Sequence, residues 1–224
     1  MAARRVRWDR VERPAIVTAL VAVNLVVYVL VSGGRVVGGG SGRDLLGTLG
    51  LFGPAVAAGD WYRLVTSGFI HFGLIHLGFN MLALYRFGGA FEADYGPMAF
   101  VGLFSASLLA GSAGALLASP SALSGGASGA VFGIIGASAL MLRRRGLGVW
   151  QSEVGGLLLI NLLFTFVIPG ISVGGHIGGL VGGLVVAAAT PEAPLSKVAV
   201  SRVIAVAAAV SVVSIAVALL VAGQ

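Results

Sequence analysis

Five stretches of this chain each run for more than twenty residues without a charged side chain: Pro14 to Gly34, Leu64 to Tyr85, Tyr95 to Leu142, Val154 to Pro191 and Val203 to Gln224. Their lengths are 21, 22, 48, 38 and 22 residues. An α-helix needs about 20 apolar residues to cross the hydrocarbon core of a bilayer. The first, second and fifth runs therefore predict one spanning helix each, and the third and fourth predict two each. Helix breakers stand where the chain must reverse, at Ser119-Pro120-Ser121 through Gly125-Gly126 and at Pro169-Gly170. The count is seven helices in an all-α polytopic membrane protein. A shorter uncharged stretch, Leu45 to Gly59, is interrupted by three glycines and Pro54, and predicts an interfacial or partly embedded loop.

Composition excludes the alternatives. Only 10% of the 224 residues are charged and 58% are hydrophobic, against roughly 25% charged in a soluble domain. Intrinsic disorder requires low hydrophobicity. Collagen requires glycine at every third position, and the 36 glycines follow no such period. The absence of cysteine removes disulfides, thiol nucleophiles and thiolate-held metals. The net charge of +6 comes from basic residues at the ends of apolar runs, not from a basic stripe with interleaved aromatics, so nucleic acid is not an expected partner.

Placing the N-terminus in the cytoplasm puts eleven of the fourteen basic residues inside and leaves Arg35, Arg43 and Arg63 outside. No A-x-A-like cleavage site follows the first apolar run, so that run is expected to remain as the first helix. The expected organisation is a basic cytoplasmic extension at 1–13, a membrane core at 14–190, and a linker with a seventh helix at 191–224.

All three histidines lie in apolar surroundings beside glycine, serine or asparagine, and ionisable residues at membrane depth point to function. His76 and Asn80, four apart, share a helical face; His71 lies about 140° round from His76. Two hydrogen-bond donors on one face suit an oxyanion site, although such a pair also serves as polar glue between helices. For His71 a polar anchor at the outer interface is the simpler expectation.

Gly125-Gly126-Ala127-Ser128-Gly129 leads a small-residue loop into a helix with Ser128 in its first turn. Unpaired N–H groups and the positive dipole end favour developing negative charge there. Ser128 is thus well placed as a nucleophile, though serine and glycine patches also arise from close helix packing. His176 follows Gly174-Gly175 and lies within two overlapping glycine rows, 174/178/182 and 175/179/183, that allow backbone contact with a neighbour. Neutral imidazole on such a seam is a ready general base. No carboxylate lies between Asp94 and Glu153 or between Glu153 and Glu192. A buried aspartate to orient the base is not expected, and the chemistry would rest on a Ser–His dyad.

The combination of His71-x4-His76-x3-Asn80, Gly126-Ala127-Ser128-Gly129 opening a helix, and His176 in a glycine-rich helix two spans later resembles the rhomboid family of intramembrane serine proteases. Tyr62-Arg63 resembles the aromatic–arginine pair of that family's first loop, and Glu92 to Gly96 its Glu-x-x-x-Gly turn. The resemblance implies a six-helix rhomboid-like bundle plus a seventh C-terminal transmembrane helix. It also implies Ser128 as nucleophile, His176 as general base, an oxyanion hole of Asn80, His76 and the Ser128 N–H, and Phe132 packed on the histidine.

The expected activity is cleavage of transmembrane protein substrates within the lipid bilayer of the cell membrane, at a site opening to the extracytoplasmic side, without cofactor or metal. Two other classes compete: a metal-dependent hydrolase using His71, His76 and His176, which lacks a His-Glu-x-x-His pattern, and a non-catalytic transporter or helix-binding module.

Overall fold

The computed structural model describes residues 14–32, 43–167, 170–191 and 197–224. The basic extension 1–13, Arg35, Pro169 and Glu192 lie outside the described residues. Within them the chain is helical, with one isolated antiparallel bridge between Leu51 and Ser124. Helix α1 is Ala15–Ser32; short helices α2 (Arg43–Leu49), α3 (Gly53–Ala57) and α4 (Arg63–Thr66) follow. Then come α5 (Leu74–Ala83), a π-type turn over Leu84–Gly88, and α6 (Gly89–Tyr95). The remaining helices are α7 (Pro97–Ala118), α8 (Ser128–Arg144), α9 (Glu153–Val167), α10 (Val173–Ala189) and α11 (Lys197–Val221). Among the described residues three segments, Ala15–Ser32, Pro97–Ala118 and Val200–Val221, are long and apolar enough to cross a membrane, and α9 and α10 are shorter apolar helices.

The two longest uncharged runs each divide into two helices, α7 with α8 and α9 with α10. The second run does not behave as expected. Leu64 to Tyr85 is not one helix: its start is α4 and a 3-10 turn at Ser67–Phe69, and the long helical stretch begins only at Leu74. That stretch continues through Arg86 and Glu92 to Tyr95, past the charges that seemed to bound it. The π-type turn keeps the backbone helical there. Arg86 extends to a bidentate pair with Glu153 at the start of α9, 2.7 and 2.8 Å away.

Glu92 is buried, and its two carboxylate oxygens accept from Ile16 N (3.0 Å) and Val17 N (2.9 Å). Helix α1 has no acidic residue in its own first turn. A carboxylate from α6 therefore satisfies its unpaired N–H groups and meets its positive end. Gly96, with φ of 84°, then turns the chain into α7, where Pro97 needs no N–H partner.

Most of the stretch Leu45 to Gly59, expected as an interfacial or partly embedded loop, is the short helices α2 and α3. Arg63 organises them. It is buried, pairs with Asp60 (2.9 Å), and donates through Nη1 to the carbonyls of Gly47 and Gly50. A charge expected to stand outside is thus fully used in tying the loop together.

At the centre α10 is wedged between α7 and α8. A Cβ on Gly174 or Gly178 would run into the backbone of Gly114 or Ala110 on α7, and one on Gly179 or Gly183 into that of Gly129 or Gly133 on α8. The two glycine rows thus face two different helices. Helix α11 lies along α7, with Val203 and Ala207 buried and Ala207 against Gly102.

Candidate active site

Ser128 is the first residue of α8, reached through a loop with few conformational options. Gly126 has φ of 134°, where a side chain would be strained, and a Cβ there would also meet the His76 ring. The loop is fixed on three sides. Leu51 and Ser124 exchange two backbone hydrogen bonds (2.8 and 2.9 Å), Gly126 N donates to Ser67 O (2.9 Å), and Ala127 N donates to His71 Nε2 (3.4 Å). His71, expected as a polar anchor at the outer interface, has its partner inside the protein. It precedes α5, is 3% exposed, and supports the residue before the serine.

His176 stands in the first turn of α10, after the N-cap Ser172, whose hydroxyl accepts from Gly175 N at 3.1 Å. Its Nε2 lies 2.8 Å from Ser128 Oγ. The Phe132 ring, one turn below Ser128 on α8, stacks on the imidazole at 4.2 Å between centroids and 21° between planes. The opposite nitrogen, Nδ1, lies 2.6 Å from Thr165 Oγ1 on α9. The sequence points only to Phe132 against this ring and gives no partner for Nδ1. A threonine in an apolar helix is common, and the one available signal was Asn161 four residues earlier on the same face.

His76 lies in the first turn of α5 with its ring over Gly126, beside Ser128. Its ring centroid is 5.1 Å from that of His71. Asn80 is buried one turn on and donates from Nδ2 to the His76 carbonyl (2.8 Å). The structure thus gathers Ser128, His176, Phe132 and His76 around one point. Asn80 follows along the same helix, without a direct contact to Ser128. A cavity lined by Ser67, Ser112, Ser124, Ser172 and Gly175 adjoins Ser128 and His176. The histidine nitrogens do not converge as a metal site requires: His71 Nε2 accepts from Ala127, and both nitrogens of His176 face hydroxyls.

A serine hydroxyl at a helix start lies hydrogen-bonded to an imidazole within a bundle of apolar helices, an arrangement chemically able to act as a nucleophile with its base. Comparison with known proteins agrees with the sequence resemblance. The family described as the Rhomboid domain matches residues 58–192. Rhomboid protease GluP of Bacillus subtilis (strain 168) is 35% identical over 168 residues, 73% of this chain and 32% of GluP. Putative rhomboid protease YdcA of the same organism is 32% identical over 125 residues, 54% of this chain and 63% of YdcA. Rhomboid-like protease 3 of Toxoplasma gondii is 35% identical over 88 residues, 39% of this chain and 34% of that protein. The chain belongs to the rhomboid family of serine proteases and is a multi-pass membrane protein. It spans about a third of the length of GluP and under two thirds of YdcA.

Proposed function

We propose that this protein is an intramembrane serine endopeptidase that cleaves the transmembrane segments of membrane proteins through a Ser128–His176 dyad. The observation that carries the reading is the 2.8 Å contact between Ser128 Oγ and His176 Nε2. His176 takes the hydroxyl proton as Ser128 attacks the peptide carbonyl, then returns it to the departing amine. Water completes the turnover by hydrolysing the acyl-enzyme, and the cavity beside Ser128 offers it the hydroxyls of Ser67, Ser112, Ser124 and Ser172 among apolar neighbours.

The oxyanion of each tetrahedral intermediate is met by the Ser128 N–H, His76 and Asn80. Val131 N is bonded to Ala127 O (2.9 Å), so the N–H groups ahead of it at the start of α8 lack a helical partner, which supports an oxyanion site there.

In this reading residues 14–190 form the protease core. Its six helices are α1, the α5–α6 stretch, α7, α8, α9 and α10, with α11 as the seventh. His76, Ser128 and His176 stand at the start of their helices, Arg86 lies midway along the α5–α6 stretch, and Arg144 and Arg145 close α8 at its other end. Arg144 donates there to the carbonyls of Ala187, Ala188 and Thr190 closing α10. The positive-inside bias then supports a cytoplasmic N-terminus and a site opening to the extracytoplasmic face.

The test is incubation of the purified protein in liposomes with a single-span model substrate. Cleavage by the wild-type protein and none by Ser128→Ala supports the reading. Equal cleavage by both overturns it.

A further inference from the structure

The nitrogen of His176 that does not face Ser128 has a partner of its own. His176 Nδ1 lies 2.6 Å from Thr165 Oγ1, and Thr165 Oγ1 lies 2.7 Å from the backbone carbonyl of Asn161. Both Thr165 and His176 are buried, so water does not compete freely for these groups.

A threonine hydroxyl carries one proton, and the Asn161 carbonyl can only accept. The short contact between the two oxygens therefore places the threonine proton on that side, since without it two sets of lone pairs would oppose each other. Thr165 Oγ1 is left to accept, and the group facing it must be a protonated Nδ1. In neutral imidazole one nitrogen carries the proton and the other a lone pair. Protonation at Nδ1 leaves Nε2 bare, and Nε2 is the atom 2.8 Å from Ser128 Oγ. The chain of donors runs one way: Ser128 to His176, His176 to Thr165, Thr165 to the Asn161 carbonyl.

We infer that Thr165 is a positioning residue that selects the base-competent tautomer of His176 and holds its ring against Ser128, in the place where other serine hydrolases use a carboxylate. The inference rests on the Ser128–His176 reading proposed above. During attack the Ser128 proton moves to Nε2 while Oγ bonds to the carbonyl carbon and the carbonyl electron pair moves to its oxygen. The Nδ1 proton stays on its nitrogen, and no proton passes to Thr165. The hydrogen bond to Thr165 strengthens as the imidazolium forms, because a charged donor makes the stronger bond. A neutral acceptor does this without burying a carboxylate, whose desolvation in a helix bundle is costly. Phe132 covers one face of the ring, so stacking sets its plane and Thr165 its rotation within that plane.

The test combines kinetics with histidine-ring ¹⁵N NMR on the full chain in liposomes or detergent. Only three histidines occur, and His176→Ala identifies the resonances of interest. Wild-type protein should show Nδ1 protonated and Nε2 bare at His176, a measurement that needs no variant. Thr165→Val keeps the shape and removes the hydroxyl; kcat should fall about 10- to 100-fold with KM little changed, the size expected for one hydrogen bond to a developing charge. Its His176 signals should move towards a mixture of tautomers. Thr165→Ser restores the hydroxyl and should recover most of the rate.

An Nε2-protonated His176 in the wild type, an undiminished kcat in Thr165→Val, or a folded Thr165→Ser as slow as the valine variant would each overturn the inference. The two readings fail separately. Cleavage by Ser128→Ala sinks the dyad itself, whereas an inactive Ser128→Ala beside a fully active Thr165→Val sinks only the role of Thr165.

Discussion

Gly179 of α10 sits so close to Gly129 of α8 that the Gly129 carbonyl occupies the space a Cβ on residue 179 would need. Ser128 precedes Gly129, and His176 is one turn before Gly179 on the same face of α10. The backbone contact thus governs how far apart the serine and the imidazole stand, although neither glycine touches a reacting atom.

Gly179→Leu is therefore expected to depress cleavage by about 100-fold or more, since a misplacement near 1 Å costs on that order. The neighbour in the way is backbone and cannot swing aside. Gly156→Leu on α9 is the control, because a Cβ there meets nothing. Near wild-type cleavage by a folded Gly179→Leu protein would show that the seam does not set the dyad.

Ser128→Ala and His176→Ala should each abolish cleavage, and the double variant should be no slower than either single one. Groups that act as a unit lose their whole effect with the first deletion. Rates are to be compared in preparations free of other proteases. Substantial turnover by either single variant would falsify the dyad.

Asn80→Ala should slow cleavage by about 10² to 10³, the usual cost of one oxyanion donor. The asparagine also bonds the His76 carbonyl, so a second effect on α5 is expected. Thermal unfolding alongside the kinetics separates the two. A rate loss with an unchanged midpoint assigns Asn80 to the oxyanion, and a loss that merely follows unfolding assigns it to the helix.

Glu92→Ala should lower the unfolding midpoint without altering the residual activity per folded molecule. Its carboxylate holds two N–H groups of α1, each worth roughly 1 to 3 kcal/mol when left buried and unpaired. Glu92→Gln keeps one acceptor oxygen and should lie between. If both variants melt with the wild type, α1 does not depend on this cap.

Much of this arrangement is readable from the chain because a bilayer leaves few solutions for an uncharged run of a given length. The breaks at 119–127 and beyond Val167 follow from breaker and charge spacing; the glycine rows only allow a close seam, and the pairing of Ser128 with His176 comes from the family resemblance. What escapes are charges that do not mark ends. Arg86 and Glu92 lie within continuous helix, and Arg63 is buried by carbonyls 13 and 16 residues away, so counting charges misplaces the second helix by ten residues at each end. Thr165 escapes for a different reason. Its role exists only once α9 and α10 are side by side, and nothing in a Leu-Phe-Thr-Phe-Val segment distinguishes that threonine from one whose only partner is a carbonyl of its own helix.

Removing residues 200–224 should leave the site able to react but make the protein less stable. Among the described residues, the hydrogen-bond and ring partners of Ser128 and His176 come from α8, α9 and α10, and the His76 ring near Ser128 from α5. Helix α11 packs along α7 through Val203 and Ala207, and its far end, Ala218 and Ala222, completes a buried cluster with Leu51, Val56 and Leu109. Within a bilayer this packing is van der Waals contact between closely fitted surfaces, not escape from water. The unfolding midpoint is expected to fall by about 5 to 10 °C, which corresponds to a few kcal/mol in a chain of this size. One route does lead from α11 to the chemistry. Leu51 belongs to the cluster that α11 closes and also pairs its backbone with Ser124, four residues before the serine. Labelling of Ser128 by an active-site serine probe, measured below the new midpoint, decides between the two outcomes. Retained labelling means that the Leu51–Ser124 bridge survives on the support of Arg63 and the α2–α3 segment. Lost labelling in a folded protein means that α11 holds the Ser128 loop through Leu51.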